Sequence, residues 1–170
     1  MKLNYLRGDA TKPIGTGKKL VLHIVNDENA WGSGFVLALN KAFGTDADSP
    51  VAQYHGWYTN AGVPRNATGP FKLGQVQFVD VDDDMIVVNM IAQSTPGGYM
   101  GFPPIRYQSL EECLLRIKAR VLTYQKKGGK ITLGGCRFGS GLAGGDWSEI
   151  ETIIHSVFDD VDVEFNIYDI

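Results

Sequence analysis

The stretch Lys18-Lys19-Leu20-Val21-Leu22-His23-Ile24-Val25 runs through Asn26-Asp27-Glu28-Asn29-Ala30 into Trp31-Gly32-Ser33-Gly34-Phe35. Its first part is a continuous apolar run rich in β-branched residues, the pattern of a strand buried on both faces. Its last part is a glycine turn opening a helical pattern from Trp31 to Phe43. Near the other end the arrangement recurs. Lys130 to Leu133 reads as a strand, and Gly134-Gly135-Cys136-Arg137-Phe138-Gly139-Ser140-Gly141-Leu142-Ala143-Gly144-Gly145 leads into a helix from Asp146 to Phe158. Glycine lets the backbone approach an anion closely, and a helix N-terminus offers free N–H groups and a positive dipole end. Either loop alone is equally explained as a tight turn that needs positive φ. Two together, both between strand and helix, point to a ligand with two phosphates.

The remaining pattern extends outward from these units. Lys2 to Leu6 reads as a strand, closed by the turn Arg7-Gly8-Asp9-Ala10-Thr11. Pro50 to Tyr58 reads as a short helix, and Asn60 to Pro70 as a loop rich in Gly, Pro and Asn. Leu73 to Val81 and Met85 to Ile91 flank Asp82-Asp83-Asp84 and read as a hairpin, with the aspartates as solvated turn formers. Gln93 to Pro104 reads as irregular. Leu110, Cys113, Leu114, Ile117, Val121 and Tyr124 recur at helical spacing between Tyr107 and Gln125, and Gly128-Gly129 ends that helix. Val161 to Tyr168 reads as the last strand. Alternating strands and helices with one hairpin predict a single three-layer α/β/α domain over residues 1–170 with a central mixed sheet. In such sheets ligands bind beyond the carboxyl ends of the strands, where both glycine loops fall.

The 170 residues carry a formal net charge of −3. That balance excludes a nucleic-acid module built on a broad basic surface, so no nucleic-acid partner is expected. Cys113 and Cys136 lack any metal-ligand spacing and read as reduced thiols of a cytoplasmic protein. No apolar run reaches the length of a membrane span. The expectation is therefore a cytoplasmic monomer that needs no cofactor or metal and does not engage a membrane.

Neither loop is a dinucleotide fingerprint or a Walker loop, which argues against a nicotinamide dehydrogenase or an NTPase. Several residues carry two readings. Asp9 is a turn or N-cap aspartate, or the acceptor for an adenine amino group. Asn26 and Asn29 are left-handed turn residues, or amides that hold ribose hydroxyls. His23 is a satisfied core histidine, or a catalytic one. Asp146 is the N-cap of the last helix, or a general base or nucleophile. Phe35, Tyr99, Phe138 and Tyr168 are core or pocket-rim aromatics able to stack on a base.

These residues together resemble the macro domain family. Gly8-Asp9-Ala10-Thr11 is similar to its opening element, His23 to Phe35 to its first phosphate loop, and Arg137 to Trp147 to its second. The ending Gly-Ser-Gly-Leu-Ala-Gly-Gly-Asp-Trp resembles the compact branch that includes ADP-ribose 1″-phosphate phosphatases and terminal ADP-ribose–glutamate hydrolases. The resemblance implies an ADP-ribose derivative as the small-molecule partner. Asp9 and the Ala10 backbone would meet adenine, and Asn26 the distal ribose. Gly32, Ser33, Gly34 and Phe35, next to Trp31, would hold one side of the diphosphate. Gly139, Ser140, Gly141, Leu142 and Ala143 would hold the other. His23 and Asp146 match the positions proposed as catalytic in the phosphatases. The glutamate-releasing members place a lysine about where this chain has Gln93. A glutamine forms no Schiff base. The expected activity is therefore metal-independent hydrolysis of ADP-ribose 1″-phosphate, with a de-ADP-ribosylating hydrolase or a non-catalytic ADP-ribose reader as the alternatives.

Overall fold

The computed structural model describes residues 1–60, 62–94 and 103–170. Its elements are β1 (Lys2–Arg7), β2 (Lys18–Asn26), α1 (Phe35–Phe43), α2 (Pro50–Thr59), β3 (Val76–Asp80), β4 (Met85–Gln93), α3 (Tyr107–Lys126), β5 (Ile131–Gly135), α4 (Trp147–Phe158) and β6 (Glu164–Asp169). The strands form one sheet in the order β1-β6-β5-β2-β4-β3. Neighbours are parallel except for β3 and β4, the expected hairpin. The result is the mixed sheet between helical layers that the alternation of elements implies.

Side-chain alternation along β2 divides the core. Leu20 and Leu22 face the layer of α3 and α4, where Leu110, Leu114, Ile117, Ile150 and Ile154 are buried. Val21 and Val25 face the other layer, where Leu39 of α1 and Tyr54 and Trp57 of α2 close the sheet. Successive residues of a strand point to opposite faces, so His23 must lie on the α1/α2 side.

Parallel pairing places the functional end. Lys18 pairs with Ile131 and Val21 with Gly134. The carboxyl ends of β2 and β5 therefore lie side by side, and the two glycine loops that follow them emerge together.

The helical pattern from Trp31 becomes helix only at Phe35. Gly34 sits at φ 78°, in the left-handed region, and cannot continue a right-handed turn. Trp31 instead folds against His23, edge to face, with ring centroids 5.3 Å apart. Asp146 likewise precedes α4 rather than belonging to it. Tyr99 and most of the stretch from Gln93 to Pro104 lie outside the described residues. Among the described residues no helix is long and apolar enough to cross a membrane.

Candidate functional site

His23 is 2% exposed and anchors the floor of the site. It is registered with Asn89 of β4, which is registered in turn with Gln77 of β3. His23 Nε2 lies 2.5 Å from Asn89 Oδ1. Asn89 Nδ2 donates to the Pro50 carbonyl at 3.3 Å and to Gln77 Oε1 at 3.0 Å. Gln77 Nε2 donates to the Gln53 carbonyl at 2.9 Å. A polar row thus crosses three strands under α2, each amide oriented by a carbonyl that can only accept. Burial holds the His23 imidazole down to a pKa of about 4, against a smaller upward effect of the Asn89 hydrogen bond. His23 is therefore neutral at pH 7. Its Nδ1 is buried and has no hydrogen-bond partner among the described residues.

The first glycine loop is shaped by Asn26. Its Oδ1 accepts from the N–H groups of Glu28 and Ala30 and from the Tyr54 hydroxyl, and its Nδ2 donates to the Ala30 carbonyl. Asn29 takes a left-handed φ of 61°, and its Oδ1 lies 2.5 Å from His55 Nδ1. Both amides are engaged in building the loop. Beyond them Gly34 is the N-cap of α1, and no side chain caps that helix. Among the described residues the N–H groups of Ser33, Gly34 and Phe35 have no backbone acceptor. This is an open helix N-terminus, able to receive an anion.

The second loop is a string of tight turns. Gly145 donates to the Gly139 carbonyl, Gly144 to that of Gly141, and Ile105 to that of Ala143. The N–H groups of Gly141, Leu142 and Ala143 have no backbone partner among the described residues. Gly139 is at φ 80°, and a Cβ there would meet the side chains of Ile105, Ile150 and Ile24 at 2.7–3.0 Å. A Cβ on Gly141 would meet nothing within 4 Å. One glycine packs the loop against the core; the other borders the cavity.

Two cavities occupy this end of the sheet. A cavity of about 190 Å³ lies between the loops, lined by His23, Ile24, Ser33 to Val36, Gln93, Cys136 to Gly139 and Gly141 to Ala143. One of about 820 Å³ is lined by Arg7 to Lys12, Phe35, Ala38, Lys41, Ala42, Cys136, Tyr168 and Ile170. Phe35 and Cys136 line both, so the two spaces meet there. In the larger one Asp9 Oδ1 accepts from the N–H and hydroxyl of Thr11 at 2.9 and 2.7 Å. Those bonds, the side-chain one first, hold its carboxyl below the usual range. An ionised acceptor thus stands at the mouth of a space walled by Phe35 and Tyr168. Burial pushes the Cys136 thiol up to about 11, so it is a wall rather than a nucleophile.

His23, Ser33, Gly34, Phe35, Gln93, Gly139, Gly141, Leu142 and Ala143 therefore gather around one space, and Asp9, Ala10 and Phe35 around the adjoining one. Asn26, Asn29, Trp31, Gly32, Ser140 and Asp146 line neither. Ser140 Oγ donates to the Arg137 carbonyl at 2.7 Å. Trp31 covers His23, and its Nε1 donates to Asn40. Asp146 caps α4: Oδ1 accepts from the N–H and hydroxyl of Ser148, both at 2.9 Å, and the residue is exposed.

Sequence reasoning missed Lys41, Lys12, Arg7, Cys136 and Arg137 as lining residues. The α1 group carried a readable signal. Phe35, Ala38, Lys41 and Ala42 follow one another along one side of the helix, and the two alanines leave room there. Arg137 carried none, because its direction depends on Asp169, which it grips through Nε at 2.8 Å and Nη2 at 3.0 Å.

This fold recurs in solved structures. A Bacteroides thetaiotaomicron protein of unknown function is 36% identical over 100% of this chain and 99% of that one, with a TM-score of 0.85. A macrodomain protein from Streptomyces coelicolor is 32% identical over 99% of both chains, with a TM-score of 0.74. The macrodomain of Mycobacterium tuberculosis DarG shares the fold at 17% identity, covering 98% of this chain and 96% of that one, with a TM-score of 0.71. No protein-family model and no curated protein matches the chain. The chain belongs to the macrodomain family.

Proposed function

We propose that this macrodomain binds ADP-ribose derivatives across the joined cavities and hydrolyses ADP-ribose 1″-phosphate to ADP-ribose and phosphate. The observation that carries the binding reading is the set of backbone amides around one cavity. Among the described residues the N–H groups of Ser33, Gly34, Phe35, Gly141, Leu142 and Ala143 have no backbone acceptor, and all six residues line one small cavity. A diphosphate is the anion that such donors fit. The wider space with Asp9 and two aromatic walls suits the adenosine end. Two structures that share this fold at 14% identity support the choice of ligand: Thermosipho africanus DarTG in complex with ADP-ribose and a Trypanosoma brucei macrodomain in complex with ADP.

In the reaction, water attacks phosphorus and the bond from phosphorus to the ribose O1″ breaks. His23 Nδ1 takes a proton from the attacking water and returns it to O1″. A base held at a pKa of about 4 is weak, so turnover is slow. The loop N–H groups offset charge on the transferring phosphoryl group. Asp146 caps α4 at the outer end of the second loop and lines neither cavity, so its part in the reaction rests on the resemblance and on the oxygen that Ser148 leaves unengaged. Gln93 lines the cavity where the resemblance has a lysine, so no lysine adduct can form there.

The test is phosphate release from ADP-ribose 1″-phosphate without added metal, with Asp146→Ala and His23→Gln as controls. Release by the wild type and its loss in both variants supports the whole reading. Release undiminished in Asp146→Ala removes that carboxylate from the mechanism. ADP-ribose binding without any release makes the protein a reader.

A further inference from the structure

The row that crosses the sheet beneath the site is more than a satisfied core. The carbonyls of Pro50 and Gln53 can only accept hydrogen bonds. They fix Asn89 and Gln77 with their NH₂ groups toward α2. Asn89 Oδ1 is thereby turned to His23, and a carbonyl oxygen demands a donor from the imidazole. The proton of neutral His23 must therefore reside on Nε2, leaving the Nδ1 lone pair bare. His23 lines the smaller cavity, and Nδ1 is the ring atom with no partner among the described residues. Such an orphan in a buried ring is costly unless something else satisfies it.

We propose that Asn89 is a positioning residue that locks His23 in the Nε2–H tautomer, so that Nδ1 accepts a hydrogen bond from a hydroxyl group held between the glycine loops. The chemistry of the partner follows from the lone pair. Phosphate dianion oxygens only accept, so Nδ1 repels them and leaves them to the loop N–H groups. A sugar hydroxyl or a water molecule donates and is welcomed. The site is thus divided between backbone donors for phosphate and one side-chain acceptor for a hydroxyl. This deepens the proposed function and rests on it for the identity of the ligand, but the tautomer itself does not.

Long-range proton–nitrogen NMR on histidine-labelled protein reads the tautomer directly. At pH 7 without ligand, His23 is expected to show a protonated, pyrrole-type Nε2 and a bare, pyridine-type Nδ1. A proton on Nδ1, on both nitrogens or averaged between them overturns the proposal, and the wild type alone suffices for this. Asn89→Leu should convert the two resonances to an averaged pair, and Asn89→Asp, which restores an acceptor, should return the proton to Nε2. A merely structural role predicts the same resonances in all three.

Saturating ADP-ribose and ADP then identify the donor. A shift of Nδ1 with ADP-ribose alone assigns the hydroxyl to the distal ribose. A shift with both assigns it to water beside the diphosphate. Binding of both by calorimetry without any Nδ1 shift contradicts the acceptor role. Failure of ADP-ribose to bind contradicts the proposed function and leaves the tautomer result standing.

Discussion

The two glycine loops end differently. The first delivers Gly34 to α1 with no side-chain cap, so the helix N-terminus itself faces the cavity. The second delivers Asp146 to α4, and its carboxylate consumes the Ser148 N–H of that helix. Under the proposed reading, two segments with the same glycine-rich look would supply anion donors by different means. One would use a helix dipole and its orphan amides; the other would use loop amides between tight turns, braced by Gly139 against Ile105 and Ile150. The two segments share glycine content, and the residue before the helix decides whether the helix N-terminus stays open.

Introducing charge into one side only should give the largest effect. Gly141→Glu places a carboxylate where a Cβ meets open space, so folding should persist. ADP-ribose affinity should fall by at least a thousandfold, roughly 4 kcal/mol, read by calorimetry with the melting temperature as control. Unchanged affinity would detach the second loop from the ligand. Gly139→Ala should do the reverse, losing about 2–3 kcal/mol of stability through its φ of 80° and its packed surroundings.

Acid should act on the floor that the loops share. An unfolded histidine titrates near its ordinary value, and native His23 titrates only at about 4. Below about pH 6.5 the unfolded chain binds a proton that the native state refuses. His23 should therefore remove about 3 kcal/mol of stability as pH falls from 6.5 to 4 and nothing more below that. Denaturant unfolding at several pH values checks this. His23→Gln, which keeps a donor for Asn89, should lose that component of the slope.

The α4 cap should matter least. Asp146→Ala should cost about 1 kcal/mol of stability, as an N-cap does, while ADP-ribose affinity stays within a few-fold. A tenfold loss of affinity would mean that this carboxylate reaches the ligand and would erase the difference drawn between the two loops.

Much of this was legible beforehand because it depends on local pattern. The apolar run of β2, the hairpin of β3 and β4, and the helical spacing of α3 all announce themselves through period and turn chemistry. The glycine loops were legible as strand-to-helix turns for the same reason, and both border one cavity. What stayed hidden depends on pairing. His23, Asn89 and Gln77 are far apart in the chain, and only the register of three strands makes them a row. The direction of the Asp146 carboxylate was equally hidden, because a cap and a catalytic base share one sequence position. Asn26 shows a third kind of limit. Its residue type fits a turn and a ribose contact equally, and only the folded loop shows its amide spent on the loop's own backbone.

In the proposed function, backbone amides of the two glycine loops together hold the diphosphate of ADP-ribose. Calorimetric titration of ADP-ribose into the wild type and Gly141→Glu, with melting curves for both, tests it most directly. Saturable one-to-one binding to the wild type is expected, and none to a variant that melts at the same temperature. No binding to the wild type, or equal binding to both, would contradict it.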